Sequence, residues 1–151
     1  MSNARSVVVI AALCLLLALV PACKRSAVEE PSPFGPASLF VGFSVDASPS
    51  VILTSDIRQT SEIRAQVKMG GEPAINQLVV FTIVRGPGEF EDYHVRTTAY
   101  TNANGYAVVN YISPTKYQLS GDEVVTIQAQ LQTSSPYWIW KQVELYLLQG
   151  Q

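Results

Sequence analysis

The chain has 151 residues, with 10 basic and 12 acidic side chains and one histidine, so its formal net charge at pH 7 is −2. Basic residues are not clustered anywhere, and a nucleic-acid-binding role therefore lacks its usual electrostatic footprint. The length is suited to one folded domain with a modest hydrophobic core.

Residues 1–22 have the pattern of a secretory leader peptide. One positive charge at Arg5 precedes an apolar run from Val7 to Val20, and small residues follow before Cys23. The flank Leu19–Cys23 resembles the lipobox of bacterial lipoproteins, which implies that residues 1–22 are removed and that Cys23 carries a diacylglyceryl thioether. The alternative is an uncleaved N-terminal membrane anchor. Both interpretations attach the protein to membrane lipid, and the first does so through Cys23.

The residues around the cysteine also indicate a destination. Lys24 stands where an Asp would favour retention at the inner membrane, so the lipobox resemblance implies a cell-envelope protein exported to the outer membrane. Cys14 leaves with the leader and Cys23 is lipidated, so we predict no disulfide. The stability of the domain then depends on packing alone.

Residues 23–38 contain the lipidated cysteine and a proline-rich tether. Pro31, Pro33 and Pro36 interrupt any regular periodicity in this stretch. An extended proline-rich chain rises about 3 Å per residue, so the tether spans up to roughly 45 Å. The alternative is that Phe34 docks on the domain and shortens this reach.

Residues 39–151 are predicted to form one all-β domain of seven or eight short antiparallel strands. Apolar and polar residues alternate in three segments, which are Ser61–Met69, Glu123–Thr133 and Tyr137–Gln149. Alternation with a period of two is typical of strands that bury one face. The nearly continuous apolar run Leu78–Arg85 indicates a central strand. Uneven strand lengths favour two packed sheets over the alternative, a closed barrel.

Two local features are predicted within this domain. Leu39–Val45 and Val51–Thr54 form one edge strand that is interrupted at Pro49. Val95–Ser113 forms a β-hairpin with Asn104 and Gly105 in its turn, because Asn-Gly between β-forming runs is a strong hairpin signal.

Several motifs together resemble the bacterial Ig-like domain of the invasin/intimin type, group 1 (Big-1). In that family a G-x-P turn precedes a V-x-F strand, a glycine-containing turn follows, and a T-[DN]-x-x-G-x-A element comes next. The matching residues here are Gly71–Pro73, Val79–Phe81, Gly86 and Gly88, and Thr101–Ala107. The resemblance covers about Val41–Leu148 and implies an immunoglobulin-like β-sandwich. The family occurs as tandem repeats in large surface proteins, whereas this chain has one copy.

We predict no catalytic site, no metal and no cofactor, so the protein is not expected to be an enzyme. His94 is the only histidine, and no G-x-S-x-G nucleophile motif occurs. The acidic residues Glu89, Glu91 and Asp92 offer an alternative, a Ca²⁺ site with oxygen ligands, but a solvated loop tip is the more usual structure for such a cluster.

The candidate binding residues are Trp138, Trp140 and Tyr146 on the last strand. If the intervening residues point into the core, these aromatic side chains project outward and form a contact surface. The alternative is that the N-terminal segment covers them through Phe34 or Phe40.

These observations predict a lipid-anchored Ig-like module of the bacterial cell envelope with a binding, adhesion or structural role and no catalysis. The partner is an unidentified protein or glycan. One alternative is an accessory lipoprotein subunit of an envelope or secretion complex. Another is a glycan or peptidoglycan binder that uses the exposed aromatic residues.

Overall fold

The computed structural model describes residues 41–133 and 139–150. The predicted leader, the lipidation site Cys23, the tether and Trp138 lie outside these residues. Within the described ranges the chain consists mostly of strands, with one 3-10 turn at Lys116–Gln118. In the same ranges, no helix has the length and hydrophobicity needed to cross a bilayer.

Ten strands form in the described part of the chain. In chain order they are β1 (Val41–Ser48), β2 (Val51–Thr54), β3 (Thr60–Met69), β4 (Glu72–Pro73), β5 (Leu78–Arg85), β6 (Glu89–Phe90), β7 (Arg96–Tyr100), β8 (Tyr106–Ile112), β9 (Glu123–Leu131) and β10 (Ile139–Gln149). Only β4 and β6 are as short as two residues. The other eight agree with the predicted number of strands.

The strands form two five-stranded sheets. Sheet A has the order β1-β3-β8-β6, with β4 also paired to β3, and sheet B has the order β2-β10-β9-β5-β7. The pairs are antiparallel except β2 with β10, which is parallel. Two separate sheets around a shared core confirm the predicted sandwich. The interior position of β5 in sheet B confirms its assignment as a central strand.

The core lies between the sheets and is built by alternating residues, as predicted. On β9, Val125, Ile127, Ala129 and Leu131 are buried. On β3, Ile63, Ala65 and Val67 are buried, whereas Met69, the next residue on that face, is exposed. Met69 is the last residue of its strand, immediately before the turn at Gly70 and Gly71.

The prediction of one edge strand interrupted at Pro49 is wrong, because the chain changes sheets there. β1 pairs with β3 in sheet A, whereas β2 pairs with β10 in sheet B. The Ser61 hydroxyl donates a 2.7 Å hydrogen bond to the Pro49 carbonyl, and the Tyr146 amide donates a 2.9 Å bond to the Ser50 carbonyl. The crossover segment is therefore held by both sheets.

The predicted hairpin Val95–Ser113 is also wrong. β7 pairs with β5 in sheet B and β8 pairs with β3 in sheet A, so the intervening segment crosses between the sheets. A tight turn is nevertheless present. The Gly105 amide donates to the Asn102 carbonyl at 2.9 Å, and Gly105 has a φ of 74°.

β7 and β8 do not continue as a paired hairpin on either side of this turn, because each strand forms hydrogen bonds with a different neighbour. The Thr101 amide donates to the Gln77 carbonyl at 2.9 Å, and the Val67 amide donates to the Gly105 carbonyl at 2.8 Å. The Asn102 side chain stabilises the turn by accepting bonds from the amides of Asn104 and Tyr106, at 2.9 and 3.1 Å. The Asn102 side chain thus holds the turn in place.

Candidate functional site

The outer face of sheet B carries the predicted aromatic residues that the structure describes. Leu145 and Leu147 of β10 are buried in the core, and the residues between and before them point to the opposite side. Trp140 and Tyr146 are therefore outward-facing. Trp138 lies outside the described residues, and its position stays a prediction.

Tyr146 belongs to an exposed apolar patch, which we define as Val51, Leu53, Tyr146 and Leu148. The parallel pairing of β2 with β10 places Val51 beside Tyr146 and Leu53 beside Leu148. Their exposed fractions are 51%, 66%, 45% and 40%, respectively. Four neighbouring, uncharged side chains at the edge of a sheet form a continuous apolar surface.

Val51 and Leu53 could not be recognised as part of this patch from the sequence. Their alternation with the buried residues Ile52 and Thr54 indicates that they face outward. Their position beside Tyr146 depends on the change of sheet at Pro49, which is set by non-local contacts.

Trp140 lies in a different region of the same face, which we call the amide region: Trp140, Gln142, Gln128, Gln130 and Thr82. Trp140 pairs with Gln130 of β9, and Gln142 pairs with Gln128, which in turn pairs with Thr82 of β5. The indole is 49% exposed. The Gln142 amide nitrogen lies 3.4 Å from the Gln128 amide oxygen, within hydrogen-bonding distance.

The structure therefore separates the two predicted aromatic residues that it describes. Trp140 and Tyr146 are six positions apart on β10, which corresponds to roughly 20 Å along an extended strand. Gln142 and Glu144 lie between them on the same face. A single small ligand cannot contact both rings at that distance.

The Tyr146 hydroxyl has a local partner. It donates a 3.1 Å hydrogen bond to the carboxylate of Glu144. This bond, together with the negative charge of Glu144, raises the pKa of the Tyr146 phenol. The polar end of the ring therefore turns towards Glu144, while Val51 flanks Tyr146 on the neighbouring strand.

The outer face of sheet A has a different chemical character. Its central strand β3 presents Glu62, Arg64, Gln66 and Lys68 on the side opposite the buried residues. The Arg64 guanidinium lies 2.6 Å from the Glu62 carboxylate. Charges of both signs on a half-exposed strand are typical of a solvated face. The apolar patch therefore belongs to the less charged side of the sandwich.

The predicted alternative of a cation site at Glu89, Glu91 and Asp92 gains no support. Glu89 forms a 2.6 Å ion pair with Arg58, and Glu91 accepts a hydrogen bond from the Asn110 side chain. Asp92 accepts a 3.3 Å bond from the His94 amide. Within residues 41–133 and 139–150, no three acidic, histidine or cysteine residues converge in the way a metal ion requires.

The loop that carries His94 borders a groove of about 180 Å³ between β7 and β8, lined by Phe90, Glu91, Asp92, Thr97, Val109 and Asn110 among others. His94 itself is mostly exposed, with its Nδ1 atom 3.8 Å from an Asp92 carboxylate oxygen. No hydroxyl or thiol nucleophile is hydrogen-bonded to this imidazole in the described structure.

The solved structures that are similar to this chain include a domain of intimin. The D00-D0 domain of intimin is 22% identical, with a TM-score of 0.52, and the match covers 74% of this chain and 50% of that structure. This chain therefore spans about half the length of the intimin structure. No protein-family model and no curated protein sequence matches the chain.

Two further structures match with lower TM-scores. A conjugative transposon lipoprotein from Bacteroides eggerthii is 14% identical, with a TM-score of 0.43 and coverage of 68% of this chain and 95% of that one. AggA, the major subunit of aggregative adherence fimbriae type I from Escherichia coli, is 8% identical, with a TM-score of 0.46 and coverage of 72% and 95%. As the intimin match shows, this chain has the immunoglobulin-like β-sandwich fold of the intimin type.

Proposed function

We propose that the protein is a lipid-anchored, non-catalytic Ig-like module of the bacterial cell envelope that binds a partner protein through its apolar patch. The observation that carries this proposal is the contiguous exposure of Val51, Leu53, Tyr146 and Leu148. Covering water-exposed apolar surface of this kind with a partner protein makes the free energy of binding more favourable. Aromatic residues such as Tyr146 are also enriched at protein interfaces.

The buried polar side chains of the described residues take part in the hydrogen bonding of the fold. The buried hydroxyl groups of Thr54, Ser61 and Ser113 each bond to backbone atoms. No buried polar side-chain atom in the described ranges lacks a hydrogen-bond partner. Side chains held in this way stabilise the sandwich.

The proposed binding mode is tested by in-cell cross-linking with matched surface variants. Leu53→Ser removes the most exposed member of the patch, and Val108→Ser removes a 38% exposed apolar side chain from the other sheet. We expect Leu53→Ser to reduce recovery of cross-linked partner at least tenfold and Val108→Ser to leave it unchanged. Equal recovery from both variants would contradict the use of the patch.

The same cross-linked samples address the form of the interaction. An accessory subunit of an envelope complex predicts a stable assembly that survives gentle detergent extraction and depends on Leu53. A transient adhesion contact predicts that the partner is recovered only after cross-linking and is lost when cells are extracted with detergent without the cross-linker.

The lipid anchor is a separate part of the proposal and rests on the sequence Leu19–Cys23. Cys23→Ala removes the thiol on which the thioether forms, so we expect an unprocessed precursor that incorporates no labelled lipid. Cys14→Ala is the matched control and should be processed normally. A Cys23→Ala protein that is processed and fractionates with the outer membrane like the parent would overturn the anchor assignment.

A further inference from the structure

We propose that the amide region is a second binding site, one that takes an uncharged polysaccharide chain. This inference goes beyond the protein-binding role of the apolar patch, because it uses different residues and a different class of ligand. The juxtaposition that carries it is an exposed indole beside three glutamine side chains on one rigid sheet face.

The amide region carries almost no charge. Residues paired across neighbouring strands of sheet B form rows on its outer face. One row consists of Trp140, Gln130, Val80 and Thr98, and it contains no ionisable side chain. The next row continues from Gln142 through Gln128 and Thr82, and reaches a charge only at Arg96 on the edge strand β7. Glu144 lies in the adjacent row, beyond Gln142. The residues from Trp140 to Thr82 carry no fixed charge, so they offer an anionic or cationic ligand little electrostatic attraction.

The glutamine side chains of the amide region can form further hydrogen bonds. Each glutamine amide carries two N–H donors and a carbonyl acceptor. The Gln130 side chain forms no hydrogen bond within the described structure, and Gln128 and Gln142 bond only to each other, at 3.4 Å. An apolar protein surface placed over these amides would leave them without partners, which is unfavourable. Sugar hydroxyls, which both donate and accept, can satisfy all three.

The Trp140 indole provides a flat apolar surface beside these amides. Trp140 is held in a strand rather than in a loop, so binding costs little additional ordering of the backbone. The flat, apolar face of an indole stacks against the C–H face of a pyranose ring, and the hydroxyl groups at the rim of that ring then lie near neighbouring amides. Adjacent strands are about 4.8 Å apart, so a glycan lying across the strands meets Trp140 and Gln130 in succession.

The test uses the purified full-length protein in detergent and three neutral probes: a β-1,4-linked glucose hexamer, a β-1,4-linked N-acetylglucosamine hexamer and yeast mannan. Polygalacturonate is the charged comparison. Binding is measured by calorimetry, because both tryptophans contribute to fluorescence. We expect at least one neutral probe to bind with a Kd in the range of roughly 10 µM to 1 mM, and polygalacturonate to bind at least tenfold more weakly.

The variants separate this site from the apolar patch. Trp140→Ser and Gln130→Leu should each weaken binding of the neutral probe at least tenfold. Trp140→Phe keeps an aromatic face and should retain most of the binding. Leu53→Ser should leave sugar binding unchanged. If Trp140→Ser reduces folding, Gln130→Leu and Gln142→Leu still test the site, since neither shortens a buried side chain.

Three results would overturn the inference: no binding of any neutral probe at millimolar concentration, unchanged binding by Trp140→Ser and Gln130→Leu, or tighter binding of polygalacturonate. None of them bears on the apolar patch, whose own test depends on Leu53. Binding of the N-acetylglucosamine hexamer together with isolated peptidoglycan sacculi would identify the source of the glycan as the cell wall. Binding to mannan alone would indicate a polysaccharide from outside the cell.

Discussion

The hydroxyl of Tyr111 donates a 2.7 Å hydrogen bond to the backbone carbonyl of Pro87. Tyr111 lies on β8 of sheet A, and Pro87 lies in the turn that leads from β5 in sheet B to β6 in sheet A. Burial raises the pKa of the Tyr111 phenol. The bond therefore attaches a crossover between the sheets to a fully buried ring, and the ring has room there because Gly88 has no side chain.

The first prediction concerns this bond. Tyr111→Phe keeps the buried ring but removes the donor to the Pro87 carbonyl, which we expect to cost about 1–2 kcal/mol of unfolding free energy. For domains near this size, that is a fall in melting temperature of several degrees. Tyr100→Phe, at an exposed position, is the control and should unfold at the parent temperature. Equal melting temperatures for all three proteins would show that the Tyr111 bond contributes nothing.

The second prediction concerns the turn at Gly105. A Cβ atom at this position would lie 2.6 Å from the Val67 carbonyl, and the φ of 74° disfavours any L side chain. Gly105→Ala should therefore cost about 1–3 kcal/mol. Gly121→Ala is a matched control, because a Cβ atom there meets nothing within 4 Å. A Gly105→Ala protein as stable as Gly121→Ala would contradict the described turn.

The strands that could be predicted from sequence are those whose pattern is local. On β9, four alternating apolar residues identify both the strand and its buried face, because a period of two follows from backbone geometry alone. The same argument places Trp140 and Tyr146 on the outer face of β10. The interior position of β5 was predicted from its continuous hydrophobicity.

The features that could not be predicted depend on the partner that each strand finds. The Asn104-Gly105 pair has the composition of a hairpin turn, yet the two flanking strands enter different sheets. Backbone hydrogen bonds to Gln77 on one side of the turn and to Val67 on the other direct them there. Sequence alone also gives no register between β2 and β10, so the contact of Tyr146 with Val51 was missed. Non-local hydrogen bonds decide both outcomes.

The third prediction concerns the pH response of Tyr146. Its hydrogen bond to Glu144 and the carboxylate charge raise the pKa of the phenol in the folded state. A raised pKa means that this interaction stabilises the fold below pH 10 and is lost as the pH rises through the folded-state pKa. Glu144→Gln removes the negative charge and should lower the pKa of Tyr146 towards its ordinary value.

This shift can be measured by ¹³C NMR of the tyrosine rings during a titration from pH 8 to about 12. The Tyr146 signal is assigned by its loss in Tyr146→Phe. A Tyr146 signal that titrates at the same pH in the parent and in Glu144→Gln would show that the carboxylate does not act on the phenol.

The last prediction concerns Thr101, the first residue of the element that resembles the Ig-like family motif. Its hydroxyl donates a 2.6 Å hydrogen bond to the Ala74 carbonyl and accepts a 2.8 Å bond from the Gln77 amide. The side chain is almost fully buried. The Thr101 hydroxyl thus connects the loop before β5, through Ala74 and Gln77, to the segment that leads from β7 to β8.

Thr101→Val is nearly isosteric but leaves the part-buried Gln77 amide and the buried Ala74 carbonyl without this partner, so we expect it to cost about 2–4 kcal/mol. Thr101→Ser keeps the hydroxyl and should lose less than half as much, because only a methyl group is removed. Chemical denaturation of both variants distinguishes hydrogen bonding from packing. If Ser destabilises more than Val, the methyl group matters more than the hydroxyl, and the threonine of this motif acts through packing.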